Sequence, residues 1–184
     1  NVGCALALTG KKVLLIDADP QANTSSGLGV DIQQLENTIY ECLVMDIDPQ
    51  RAIVHTAVQN LDMIPSHIDL VGAEIEMLNF KNRERIIQNA LAPIKNEYDY
   101  ILIDCPPSLG MLTVNALTAS DGVVIPMQCE YFSLEGLSRM MLTIKQVKKL
   151  YNSKLALTGI LITMYNGRLN LSVQVLDELK KHYA

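Results

Sequence analysis

Short apolar runs alternate with longer amphipathic stretches along this chain, and the alternation predicts its architecture. Five runs read as strands: Lys12–Asp17 (KVLLID), Leu61–Pro65 (LDMIP), Tyr100–Asp104 (YILID), Gly122–Met127 (GVVIPM) and Leu157–Met164 (LTGILITM). They are rich in Val, Ile and Leu and mostly lack polar alternation, the pattern of strands covered on both faces. Between them, helical spacing marks Leu70–Asn79, Arg83–Asn96, Leu109–Thr118, Ser133–Tyr151 and Leu171–His182. This order predicts an α/β fold, a mostly parallel β-sheet flanked by helices with right-handed crossovers. Ligands on such sheets sit beyond the carboxyl ends of the strands, so the residues following each apolar run carry the most information.

Both ends of the sequence read as interrupted elements. Asn1–Thr9 (NVGCALALT) has the pattern of a helix body closed by Gly10, a suitable C′ glycine. At the other end LDELKKHYA stops inside an amphipathic helix, so the expectation is a fragment of a longer protein. No repeat, low-complexity segment or Pro/Gly/Ser-rich linker divides the 184 residues, and a single domain over residues 1–184 is expected.

Composition narrows the class. With 49% hydrophobic and 19% charged residues the chain reads as globular rather than disordered. It has no unbroken apolar run of about 18 residues and no signal-peptide pattern. Its four cysteines are far apart, without a C-x-x-C pair, which argues against a zinc site or disulfide framework. The net charge of −5 conceals an asymmetry: residues 1–135 hold 7 Lys/Arg against 18 Asp/Glu, whereas residues 136–176 hold six basic residues and no acidic one. Such a stretch fits a local anion-facing surface, and a solvated helix face explains the same charges.

Two strands finish in Asp before turn-forming residues. The first continues as Asp17-Ala18-Asp19-Pro20-Gln21 into a polar loop, Ala22–Gly29, and the second as Asp104-Cys105-Pro106-Pro107-Ser108-Leu109-Gly110. A carboxylate at the end of a buried parallel strand is well placed to hold Mg²⁺ through water. Asp17 and Asp19, two residues apart on extended backbone, point the same way, so one can serve the metal shell while the other positions a water. Strand-end Asp residues also serve as caps, but three at two strand ends point to a phosphate–metal site. The glycine-rich cradle for the phosphates is not in the sequence, because Gly10-Lys11 follows a helix and is followed by Lys12. It is expected upstream of Asn1.

These residues carry a family resemblance. KKVLLIDADPQANTSSGLGV, EYDYILIDCPPSLGMLTVNALTASDGVVIPMQCEYFSLEGL and GILITMYNGRLNLSVQV resemble the ParA/Soj partition ATPases of the deviant Walker A P-loop family. The resemblance implies a P-loop NTPase fold, ATP and Mg²⁺ as cofactors, an ATP-driven homodimer and slow hydrolysis. It also implies nonspecific DNA binding, a ParB/Spo0J-type partner, and a cytoplasmic, nucleoid-associated protein without membrane attachment. Carried over by residue, Asp19 resembles the group that orients the attacking water, Asp17 a carboxylate near Mg²⁺, and Asp104 the Walker B Asp. Pro106–Gly110 and Gln21–Ser25 correspond to two switch regions, with Pro106 and Gln21 at the nucleotide. Asn166 falls where relatives use an Asn to read adenine, although many have Asp there. Arg168 matches a DNA-binding position, with Lys148 and Lys149 as further candidates that also complement a helix dipole. Without its Walker A loop this fragment is expected to be inactive, and loss of the first strand to expose strand edges.

The same residues leave three other functions open. A MinD-like membrane-cycling ATPase would need a C-terminal amphipathic helix, and the DPQ continuation favours ParA. A relative of the nitrogenase iron protein should carry cluster-ligating cysteines after Walker B, a pattern that Cys105 and Cys129 match poorly. In a non-enzymatic interaction module the carboxylates would be caps only. Tyr131, Phe132 and the methionines are expected as packing residues.

Overall fold

The computed structural model describes residues 1–183, and of residue 183 only the backbone; the final residue of the LDELKKHYA reading lies outside the described residues. The chain divides into two compact units, Asn1–Ala119 and Ser120–Ala184.

In the first unit, β1 (Val13–Asp17), β3 (Leu61–Ile64) and β4 (Tyr100–Asp104) are parallel, and β2 (Val54–His55) adds an antiparallel edge, giving the order β2-β3-β1-β4. Central β1 explains why the strand runs lack polar alternation. Successive side chains point to opposite faces, and both faces are covered. Leu14 and Ile16 join a core with Ile39, Leu70, Met77, Ile87 and Leu112. Val13 packs on the other face with Leu61 and with Ala7 of α1 (Val2–Leu8). Each fully buried Leu or Ile contributes roughly 1.5–3 kcal/mol, so this strand anchors everything that hangs from its end.

The helices around it are shorter than the periodicity predicts. After α2 (Asn23–Gly27) and α3 (Ile39–Val44), α4 spans Leu70–Glu76, with a tighter 3₁₀ turn over Met77–Asn79. The expected helix Arg83–Asn96 is a 3₁₀ turn, a short α5 (Ile86–Leu91) and a second 3₁₀ turn at Lys95–Glu97. Pro93 lies between the last two, where it cannot donate to an α-helical ladder. β2, α2 and α3 were not expected. α3 starts with a capping box, Thr38 accepting from Tyr40 N–H at 3.2 Å while Glu41 accepts from Thr38 N–H at 2.7 Å. α6 (Met111–Ala119) is pinned by buried Asn115, whose Oδ1 accepts from Ile87 N–H at 3.2 Å and whose amide donates to the Arg83 carbonyl at 2.7 Å.

The second unit pairs β5 (Gly122–Gln128) with β6 (Ala156–Thr163) in parallel, carrying α7 (Ser133–Leu150) and α8 (Asn170–Tyr183). Here the expectation of strands covered on both faces fails. Met127, Leu137, Val175 and Leu179 form a core on one face with Ile125, Ile160 and Ile162, while Val124 and Leu161 are exposed on the other. Pro126, which cannot donate to a ladder, sits comfortably because β5 pairs on one side only. Tyr131 and Phe132 are exposed rather than packed into the core, and stack edge to face at 5.1 Å. Met141 does pack against the core. No described helix is long and apolar enough to cross a membrane.

Candidate functional site

The parallel register aligns the ends of β1 and β4, so Asp17 faces Asp104 across the pair. The turn after β1 is built from its sequence. Ala22 N–H donates to the Asp19 carbonyl at 2.9 Å, closing a turn with Pro20 as its second residue. The Asp19 carboxylate accepts from the Gln21 N–H at 2.9 Å through Oδ1 alone. Ala22 then adopts φ 51°, left-handed backbone that costs an L-residue roughly 1–2 kcal/mol.

α2, with the sequence NTSSG, has weak helix propensity throughout. A buried carboxylate holds it instead. Asp17 is 0% exposed; its Oδ2 accepts from both the N–H and the hydroxyl of Ser25, each at 2.8 Å, and its Oδ1 from the Asp19 N–H at 3.2 Å. Burial pushes its pKa above the ordinary range, although the Ser25 and Asp19 hydrogen bonds pull the other way. Asp17, expected beside the metal, is engaged as the anchor of the Gln21–Ser25 loop.

Asp104 differs. It is exposed, and its Oδ2 accepts from the Thr24 hydroxyl, which ties the second strand end to the first loop. Asp19 is half-buried, with Oδ2 unpartnered among the described residues. Asp104, Thr24 and Asp19 thus offer hard oxygen donors. Among the described residues no cluster of three or more His, Cys, Asp or Glu is arranged to hold a metal directly. That donor set fits a hydrated Mg²⁺ held by one or two carboxylates and a substrate phosphate. Cys105, next to Asp104, packs against the core, and burial pushes its thiol up to about 12, so it is no nucleophile. Pro106 and Pro107 lead into the Ser108–Gly110 loop, where the Thr113 hydroxyl donates to the Ser108 carbonyl at 2.7 Å.

The first unit therefore gathers Asp17, Asp19, Gln21, Asp104 and Pro106 at one end of its sheet. In the second unit Asn166 and Arg168 share the loop after β6, where Asn166 Oδ1 accepts from the Arg168 N–H at 3.1 Å. Both are exposed. Lys148 and Lys149 end α7, the helix that leads back into β6. They lie at the opposite end of that eight-residue strand from Arg168, roughly 26 Å away along it, so the three do not form one patch. Of the other cations in the acid-free stretch, Arg139 is paired with Glu135 at 2.6 Å.

Sequence reasoning left Thr24, Ser25, Ser66 and Glu74 unassigned by name. The hydroxyl pair at Thr24-Ser25 is the visible signal for the first two, since consecutive hydroxyls after a strand-end Asp can reach a carboxylate each. All three histidines pair with carboxylates: His55 with Asp62 at 2.6 Å, His67 with Asp69 at 2.9 Å and His182 with Glu178 at 3.0 Å.

Comparison with known proteins places this geometry. The AAA domain family matches residues 1–157. The sporulation initiation inhibitor protein Soj of Bacillus subtilis (strain 168) is 52% identical over 183 residues, covering 100% of this chain and 72% of Soj. The chromosome partitioning protein ParA of Caulobacter vibrioides (strain NA1000 / CB15N) is 46% identical over 186 residues, covering 100% of this chain and 70% of that protein. Among solved structures, cobyrinic acid a,c-diamide synthase from Mycobacterium smegmatis with bound ATP analog and magnesium superposes with TM-score 0.93 at 39% identity, covering 99% of this chain and 74% of that one. A plasmid partition protein from Borrelia burgdorferi gives TM-score 0.84 at 30% identity, covering 99% and 78%. Matched along its whole length and built on a mostly parallel sheet with carboxylates at its strand ends, the chain belongs to the ParA/Soj family of chromosome and plasmid partition ATPases, of P-loop NTPase fold.

Proposed function

We propose that this protein is a MgATP-dependent switch that dimerises on ATP, binds DNA without sequence preference and moves a chromosome or plasmid with a ParB/Spo0J-type partner at the nucleoid. The observation that carries the reading is the strand-end cluster, in which Asp19 and Asp104 stay accessible while Asp17 and Thr24 fix the loop between them.

In this reading Asp19 is the catalytic group. The Gln21 amide holds one of its oxygens, and the other orients water for in-line attack on the γ-phosphate. Asp104 holds the hydrated ion, with the Thr24 hydroxyl steadying its carboxylate. An Mg²⁺ ion held there through water by Asp104 would supply positive charge against that developing on the transferred phosphoryl group. Gln21 and Pro106 border the nucleotide, and Asn166 reads the adenine. The Thr24–Asp104 contact makes the two loops sense the same phosphate, so hydrolysis releases both, an order–disorder switch of known type. For DNA, Arg168 supplies the principal phosphate contact. Lys148 and Lys149, at the other end of their unit, contribute to a longer footprint.

The test is steady-state phosphate release by the full-length gene product and its Asp19→Ala variant. Loss of a water-orienting base is expected to lower turnover about 10²–10⁴-fold with the melting temperature unchanged. Wild-type turnover in the variant would instead make Asp19 a cap of the Pro20–Gln21 turn and not the catalytic group. The likeness to the Mycobacterium smegmatis synthase favours a second reading, an ATP-dependent amide-forming enzyme; turnover that requires a carboxylic acid and an amine donor, and ignores DNA, would select it.

A further inference from the structure

The segment that leaves β3 touches both switch loops, and the catalytic reading gives it no task. Ser66 is 0% exposed. Its backbone N–H donates to Ser25 Oγ at 3.1 Å, and that hydroxyl donates to Asp17. The Ser66 hydroxyl itself is buried without a hydrogen-bond partner among the described residues. Pro65 is held as well, its carbonyl accepting from the Ile39 N–H at 2.9 Å. The start of the segment is thereby fastened to the Gln21–Ser25 loop.

Its other end reaches the second loop. α4 carries Glu74, whose Oε1 accepts from the Leu112 N–H at 3.1 Å. Leu112 lies in the first turn of α6, where amides have no partner within the helix and a carboxylate also meets the positive end of the dipole. Gly110, the last residue before α6, makes room for this contact, since a Cβ there would overlap the Glu74 carboxylate. α4 is not free to drift, because its Leu70 and Ala73, and Met77 in the turn that follows it, are all buried in the central core.

We infer that Ser66–Glu74 is a strut that couples the two switch loops, with Glu74 as a positioning residue that sets Pro106–Gly110 through the first turn of α6. The inference rests on reading those loops as nucleotide-sensing, and it adds a second route to the direct Thr24–Asp104 contact. Glutamate is suited to the task by its reach and its acceptor. Glutamine keeps both without the charge, and alanine keeps neither. Glu74 acts through Leu112 and touches no reacting atom, so its effect falls on the population of the competent loop.

The test uses the full-length gene product, with ATP turnover measured across ATP concentrations. Glu74→Ala is expected to lower kcat about tenfold, within the usual range of coupling between sites, with KM changed less than about twofold. Glu74→Gln should stay within about twofold of wild type in both, because its amide oxygen still accepts from Leu112. Gly110→Ala should reproduce the Glu74→Ala defect by displacing the carboxylate. The double variant should be no worse than either single change, the signature of one shared contact. Hydrogen exchange supplies a readout that a purely structural role would not move. In Glu74→Ala, ATP should still slow exchange in Gln21–Ser25 but no longer in Ser108–Leu112. Additive losses in the double variant, or ATP protection of both segments in Glu74→Ala, would overturn the strut. If Glu74→Ala does not fold, turnover and the same exchange measurement made on Gly110→Ala decide, with ATP protection of both segments in that variant overturning the strut. No ATP turnover in the wild type would instead bring down the nucleotide reading, and the strut with it.

Discussion

Asp17 and Asp104 are register partners, each the last residue of a parallel strand, yet one is sealed and the other open. The difference arises from what the following residues can donate. After Asp17 the chain offers the amides of Asp19 and Ser25 and a serine hydroxyl, and all three return to its carboxylate. After Asp104 come Cys105 and two prolines, which have no N–H to give. Among the described residues its one side-chain hydrogen-bond partner is Thr24, reaching over from the other loop. A strand-end aspartate therefore becomes an anchor or a working carboxylate according to the donors that follow it, and the two tasks are divided between the two strands.

Three substitutions test that division. The largest effect is expected from Asp104→Asn, which should lower ATP turnover about 10–100-fold, as loss of an outer-shell metal partner does. It should leave the urea midpoint unchanged, because the carboxylate is exposed. If stability falls and turnover does not, the roles of the two aspartates are reversed.

Asp17→Asn should do the opposite first. Placing an amide group against the two Ser25 donors leaves buried groups unsatisfied, and should destabilise the fold by about 2 kcal/mol in urea titrations. The pH dependence has a definite sign. Burial raises the folded pKa of Asp17 above its ordinary value of 3.8, so the native state binds the proton more tightly than the unfolded one. Its contribution to stability is therefore fully present below about that value and falls as pH rises through the folded pKa. The gap between wild type and Asp17→Asn should narrow over that window. A gap that widens would mean that the hydrogen bonds outweigh burial.

The smallest effect should come from Ala22→Gly. Relief of the left-handed conformation exceeds the added entropy of the unfolded chain and the lost methyl contact by a small margin, and a gain of about 0.5 kcal/mol is expected. A loss would mean that Ala22 is packed rather than strained.

The sequence made the strands legible because apolar runs flanked by turn residues are local signals. Tyr100–Asp104 was read with its observed bounds, and the strand-end carboxylates followed from their positions. α2 was not legible, because NTSSG forms a helix only once Asp17, eight residues before Ser25, is buried beneath it. β2 has two residues, too few for a period to show. Glu74 was invisible for a similar reason. Its partner lies 38 residues away and is a backbone amide, which leaves no mark in the side-chain pattern. In the second unit the unbroken apolar runs misled, since β5 and β6 are hydrophobic on both faces but buried on only one.

The central claim is that chemistry at these strand ends governs a DNA-binding state. The most direct measurement is binding of the full-length gene product to nonspecific duplex DNA, with and without ATP, across a salt titration. The account predicts binding that requires ATP, weakens steeply with salt as phosphate contacts release counterions, persists in Asp19→Ala and falls in Arg168→Ala. Binding of equal strength without ATP, or ATP turnover with no DNA binding at any salt concentration, would contradict it.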